Sequence, residues 1–201
     1  MICRIYEQPR PYAIPIGELL RYAGMPKCDD PLIYRKAVQI AAQCEGTIMP
    51  RCVWRRCSID RIDDGCVVLQ TGPTLLGTLP ARYLSDCSEA ILVLATVGGG
   101  VDRMIAAQSV RSLTDSLLAD AAGSAAVEAL LDAFCDEMAK TDSIKPRISP
   151  GYGDFLIENQ LQILRYLDGT KNLGICLNDS LLMTPVKSVS ALIGIRKDNH
   201  V

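Results

Sequence analysis

Between about Asp102 and Lys140 runs the longest apolar periodicity in the chain. Leu113, Leu117, Ala121, Ala125, Leu130, Leu131, Phe134 and Met138 fall on one stripe at helical spacing. A stripe of that length predicts one long helix or two consecutive ones, and the fold must lay other elements along it. Its middle, Ala121-Ala122-Gly123-Ser124-Ala125-Ala126, is made of unusually small residues. Glycine inside a helix costs about 1 kcal/mol relative to alanine. Gly123 therefore predicts that another backbone or a ligand comes close at that point.

The remaining pattern mixes helices and strands. A short amphipathic helix is expected over 17–23, closed by Gly24 and Pro26. A second fits Pro31 to Cys44, with Ile33, Ala37, Ile40, Ala41 and Cys44 at helical spacing and Gly46 as its stop. From Arg51 to Thr71 the pattern turns β-like, with Cys66–Leu69 as a buried strand, and Ile91–Thr96 is the clearest interior strand. After a loop at Lys145–Gly153, Phe155–Leu167 reads as a helix. The tail then reads as strands at Leu173–Leu177, Leu181–Thr184 and Ser188–Ile195, the last with Val189, Ala191, Ile193 and Ile195 on one face. No regular βαβ repetition is present, so the expected class is α+β, with a mixed, mainly antiparallel sheet and long helices. Residues 1–90 are expected as an N-terminal α/β portion packed on a core of residues 91–201, together one unit.

Composition excludes several functions. Apolar types make up 49% of the 201 residues and charged types 22%, which is ample for a core and unlike a disordered chain. Lys and Arg (21) nearly balance Asp and Glu (23), so the electrostatic footprint of a nucleic-acid binder is absent. No apolar signal segment and no run long enough to span a bilayer occur, which predicts a cytoplasmic protein without a membrane. Nine cysteines without a CxxC pair read as free thiols acting as small hydrophobes in a reducing compartment, with no metal site. The only histidine is His200, so Ser-His-Asp and Cys-His chemistry is not expected.

Three motifs bear on function. Gly98-Gly99-Gly100 lies between a strand and a helix, but Arg103 stands where a dinucleotide loop needs its third glycine, and no GK[ST] follows. A turn requiring positive φ accounts for it, and the loop can still border a ligand site. Arg51, Arg55, Arg56 and Arg61 surround Trp54; this suits a phosphate or an acidic partner protein, and equally a solvated strand face with Trp54 turned inward. Arg147-Ile148-Ser149-Pro150-Gly151-Tyr152 predicts a type II turn, with Pro150 setting φ and Gly151 taking positive φ. An arginine fork beside such a turn suits a carboxylate, and Tyr152 adds a flat ring; an ordinary surface turn with a solvated arginine fits the spacing as well.

That stretch, with Asp120-Ala-Ala-Gly-Ser-Ala-Ala-Val-Glu128 before it and Met183-Thr-Pro-Val-Lys-Ser-Val-Ser190 after it, resembles the activation domain of cobalamin-dependent methionine synthase, in particular the short stand-alone members of that family. The likeness spans roughly residues 90–195, and the R-x-x-P-G-Y motif followed by S-V-S carries most of it. It implies a mixed α+β domain that binds S-adenosylmethionine and docks over a cobalamin-carrying partner. There, cob(II)alamin is re-methylated after one-electron reduction by a flavodoxin-like donor. Carried over by position, Arg147 would hold the ligand's carboxylate, Ser149 and Gly151 would present backbone groups, and Tyr152 would line the pocket. Glu128 or Asp120 would supply negative charge for the ammonium or sulfonium. Two positions depart from the family pattern. Its aromatic pair after S-V-S is here Leu192-Ile193, and its N-terminal ligand-binding aspartate has no counterpart in Tyr12-Ala13-Ile14-Pro15.

The resemblance implies a division of labour. Cobalt-ligating modules of this group use D-x-H-x-x-G, and the single Asp-x-His here, Asp198-Asn199-His200, is followed by one residue. Nor does the length accommodate the ~250-residue barrels of the folate and homocysteine half-reactions. The expected role is a stand-alone reactivation subunit for a methionine synthase that lacks its own activation domain. That makes it an accessory part of a methyltransferase system, not an autonomous enzyme, and the Arg51–Arg61 cluster would receive the acidic donor. The alternative is a non-catalytic scaffold or chaperone for a corrinoid protein, with a degenerate ligand pocket. A third reading, an autonomous S-adenosylmethionine-dependent methyltransferase, lacks its glycine-rich strand–loop–helix signature.

Overall fold

The computed structural model describes residues 3–197; His200 and the Asp198-Asn199-His200 triplet lie outside them. The chain begins with β1 (Arg4–Glu7), α1 (Ile16–Tyr22) and α2 (Pro31–Glu45), then β2 (Arg51–Asp63), β3 (Cys66–Leu69) and β4 (Thr74–Leu76). α3 (Thr78–Tyr83) leads to β5 (Cys87–Thr96), followed by α4 (Gly100–Ser109) and α5 (Leu113–Ala139). The last part holds α6 (Asn159–Tyr166), α7 (Gly169–Leu173), the short pair β6 (Cys176–Leu177) and β7 (Met183–Thr184), and β8 (Ser188–Arg196).

β5 forms where the sequence is apolar without interruption, and such a run is stable only where both faces of a strand are covered. It is buried from Ala90 to Thr96. β2 pairs antiparallel on one side of it, from Arg51↔Thr96 to Ser58↔Glu89, and β8 on the other, from Ser188↔Thr96 to Cys87↔Arg196. β1 and β3 occupy the two ends of β2's other edge, and β4 lies outside β3. The result is an antiparallel six-stranded sheet within a mixed α+β fold, as the sequence pattern implies.

Period-2 alternation sends the sheet's side chains into two cores. Ile91, Val93 and Ala95 join Ala191, Ile193 and Ile195 against α1, α2 and α5. Leu92, Leu94 and Leu192 face the opposite layer, where Phe155, Ile163 and Leu167 are fully buried. The expected common face of β8 is present, with Val189 packed at its margin.

The Asp102–Lys140 periodicity is two helices. They break at Val110-Arg111-Ser112, and the Ser112 hydroxyl caps α5 by accepting from the Asp115 N–H at 3.2 Å. Leu113 and Leu117, expected on the apolar stripe, are 82% and 48% exposed, because α5 meets the core only from Leu118 onward. Gly123 is crowded by the side chains of Val101 and Lys187. A Cβ there would fall 2.6 Å from Val101 Cγ1 and 2.8 Å from Lys187 Cγ.

The region after Gly153 departs further from expectation. The helix expected from Phe155 starts only at Asn159, because the fully buried Asn159 amide is committed to β4. It accepts from the Leu76 N–H at 2.7 Å and donates to the Leu76 carbonyl at 2.9 Å. Residues before it instead form turns that drop Phe155 into the core. The strands expected at Leu173–Leu177 and Leu181–Thr184 shrink to β6 and β7, since α7 is bracketed by left-handed residues, Asp168 at φ 49° and Gly174 at φ 70°.

Gly123→Ala should destabilise the protein, although alanine gains about 1 kcal/mol of helix propensity. The overlap with Val101 and Lys187 should outweigh that gain, for a net loss of about 1–2 kcal/mol by urea denaturation. A stabilised variant would contradict this packing.

Candidate functional site at the outer edge of β8

β8 has β5 on one side only, so its other edge carries backbone groups that need partners. Residues 143–148 supply them. Lys145 N–H donates to the Gly194 carbonyl at 2.8 Å, Ile148 and Leu192 exchange bonds of 3.0 and 2.8 Å, and Arg196 N–H donates to the Ser143 carbonyl at 2.9 Å. This pairing carries Arg147 to the flank of α5.

The turn that follows has the expected form. Tyr152 N–H donates to the Ser149 carbonyl at 3.2 Å, and Gly151 sits at φ +96° after Pro150. The Gly151 N–H is directed inward, donating to the Phe155 carbonyl at 2.7 Å. Ser149 is half-buried, and Tyr152 is 67% exposed, leaving its ring open to solvent. Asp154 fastens this turn to α3: it accepts from the Thr78 hydroxyl and from the N–H groups of Thr78 (2.9 Å) and Leu79 (2.7 Å). The Thr78 hydroxyl above all, with the Thr78 and Leu79 N–H groups, holds the Asp154 carboxyl below the usual carboxylate range.

Arg147 joins this turn to the long helix. Its Nη2 lies 2.5 Å from Glu128 Oε2 and its Nη1 2.6 Å from Asp132 Oδ1. Burial opposes the guanidinium charge, but the bonds to Glu128 and Asp132 outweigh it and raise the pKa above its ordinary value. Asp120, Ser124, Glu128 and Asp132 recur at i, i+4 spacing, so they form one ridge along α5. Lys187, almost buried, spans the upper part of that ridge: its Nζ is 2.8 Å from Asp120 Oδ1 and donates to the Ser124 hydroxyl at 3.0 Å. A hollow of about 190 Å³ opens between Glu128, Ser124, Lys187, Tyr22 and Val189.

Asp120, Glu128 and Arg147 thus meet on one ridge, with Ser149, Gly151 and Tyr152 on the adjoining turn. Both acids are engaged by cations of the chain itself. Leu192 and Ile193 are fully buried, one in each core, so neither reaches this surface. The sequence reading left out Asp132 and Lys187. Asp132 lies one turn beyond Glu128, a spacing that would have flagged it, and Lys187 sits inside the quoted Met183–Ser190 motif. Tyr22 comes from α1 and has no local signal.

The basic stretch on β2 is largely neutralised. Arg56 bridges Glu89 (2.5 Å) and Asp142 (2.9 Å), and Arg61 pairs with Asp63 at 2.6 Å. Arg55 stacks over the Tyr166 ring, while Arg4 stacks over Trp54, itself turned into the core. A larger cleft of about 830 Å³ lies there, lined by Arg4, Trp54, Arg56, Met138 and Asp142. Gly98 adopts the positive φ expected of its loop, at +79°. Only Cys44, Cys52, Cys57 and Cys87 are buried thiols, and burial pushes Cys44 up to about 11; Cys3, Cys28, Cys66 and Cys135 are half-buried and Cys176 is exposed, so the expectation of small buried hydrophobes holds for part of the set. Among the described residues no three His, Cys, Asp or Glu side chains are grouped to hold a metal. No described helix is long and apolar enough to cross a membrane.

The antiparallel sheet between two helical layers is a fold that a solved structure shares. The crystal structure of the MetH reactivation domain bound to AdoHcy matches this chain with a TM-score of 0.65 at 15% sequence identity, covering 99% of this chain and 80% of that one. No protein-family model and no curated protein sequence matches this chain.

Because the Asp154 carboxyl titrates below its unfolded value, its contribution to stability is complete above about pH 4. That contribution is lost as the pH falls through the folded pKa. Asp154→Asn should therefore be less stable than wild type at pH 6, and the gap should narrow by pH 2.5–3. Urea midpoints measured across that range check this; a gap of constant size would contradict the assigned role.

Proposed function

We propose that this chain is an activation module for a cobalamin-dependent methionine synthase, binding S-adenosylmethionine along the Arg147–Tyr152 edge. One observation carries the reading. Two motifs on different elements, with Glu128 and Arg147 19 residues apart, bring the Arg147 guanidinium against the Glu128 carboxylate that lines a hollow, in a fold whose AdoHcy-bound counterpart is a reactivation domain. A cation and an anion side by side complement the zwitterionic end of such a ligand.

The residues present fit the ligand's groups. Arg147 would orient the carboxylate, Glu128 would face the ammonium, and the exposed Tyr152 ring offers a stacking surface for a planar base. Lys187 keeps Asp120 engaged, so Glu128 is the acid better placed for the ammonium. Bound there, S-adenosylmethionine would supply the methyl group for reductive methylation of a partner's cob(II)alamin, with the electron from a flavodoxin-like donor. The chain's own task is orientation, which needs no acid–base residue.

A second reading, a non-catalytic scaffold for a corrinoid protein, is favoured by the small hollow. Its volume of about 190 Å³ is below the roughly 300–1,000 Å³ usual for ligand pockets. Calorimetric titration with AdoHcy and S-adenosylmethionine separates the two, since only the activation module binds. Affinity should fall at least about tenfold in Arg147→Ala and in Arg147→Lys, because lysine lacks the planar fork. Melting curves should show that both variants fold. Unchanged affinity in Arg147→Ala would overturn the assignment.

A further inference from the structure

We propose that Asp132 is a specificity-determining residue of this site: it holds the arm of the Arg147 guanidinium that a ligand's carboxylate would take, and so weakens binding of carboxylate-bearing ligands. This rests on the functional reading above.

The two acids on Arg147 are not equivalent. Glu128 lines the hollow and its side chain is 34% exposed, whereas Asp132 stands one turn further along α5, outside that lining, at 64% exposed. Together the three groups carry a net charge of −1 around one cation. A ligand's ammonium relieves this at Glu128. Its carboxylate, by contrast, must approach a guanidinium whose Nη1 already donates to Asp132 at 2.6 Å. Exchange at Asp132 costs least, because an exposed ion pair is weak and water re-solvates the released carboxylate. Exchange at Glu128 would remove the group that the ammonium needs. The geometry therefore makes Asp132 the competitor and Glu128 the partner.

Asp132→Asn keeps the side chain's size and an acceptor oxygen but removes its charge. Its effect should depend on whether the ligand carries a carboxylate. AdoHcy should bind about two- to fivefold more tightly to Asp132→Asn than to wild type at low salt, a gain expected from removing one exposed charge. The gain should fade by about 0.5 M NaCl as the charges are screened. 5′-Methylthioadenosine, which lacks the amino-acid tail, should bind both proteins equally. Glu128→Gln should move AdoHcy in the opposite direction, to weaker binding. Asp132→Ser serves as a second variant with the same expectation.

Calorimetry on the full chain reads all of these outcomes. Tighter AdoHcy binding in the Asp132 variants with no change for methylthioadenosine supports the proposal. Equal or weaker AdoHcy binding, or an equal gain for both ligands, overturns it while leaving the site itself standing. No AdoHcy binding to wild type or to either Asp132 variant overturns the functional reading and this inference together.

Discussion

The two-sided burial of β5 is the constraint on which the rest depends. An apolar strand at the centre of a sheet needs a neighbour on each edge and a helical layer on each face. β2 and β8 supply the edges, and the two cores divide Ile91, Val93 and Ala95 from Leu92 and Leu94. This leaves β8 with an open edge, which residues 143–148 cover. The site is a consequence of that repair. The segment satisfying the last strand's backbone groups also delivers Arg147 to α5 and sets the Ser149–Tyr152 turn beside it.

Small residues on α5 do the complementary work. With only hydrogen at Gly123, the helix lets Val101 and the Lys187 stem pack against its backbone. Lys187 then reaches Asp120 and Ser124, while Glu128, two turns beyond Asp120, stays at the hollow and meets Arg147. Each polar group on the ridge thus has a partner from a different part of the chain. Of the charge cluster that drew notice in sequence, around Trp54, Arg56 and Arg61 are by contrast spent on internal pairs and Arg55 on ring stacking, while the buried Nε of Arg51 has no partner among the described residues.

Much of this was legible in the sequence, for local reasons. β5 announced itself as an apolar run, β8 by alternation, and the Pro150-Gly151 turn by its φ requirements. The motif pair around Asp120–Glu128 and Arg147–Tyr152 carried enough to name the fold. What remained hidden depended on distant partners. Asn159 ends the expected Phe155 helix early because its amide is used by Leu76, more than eighty residues away in sequence. Leu113 and Leu117 match helical spacing perfectly well, yet α5 overhangs the core at that end. Lys187's burial follows from Gly123, and no local pattern links the two.

The central claim is one of place: the amino-acid end of an S-adenosyl ligand belongs at the β8 edge, not in the larger cleft near Trp54. Titrating AdoHcy into the isotope-labelled full chain and following backbone amide shifts tests it most directly. The account predicts perturbations centred on Gly151, Tyr152, Glu128 and Val189, with the amides of Arg4, Trp54 and Asp142 unmoved. Shifts concentrated around Trp54 and Asp142, or none at saturating AdoHcy, would contradict it.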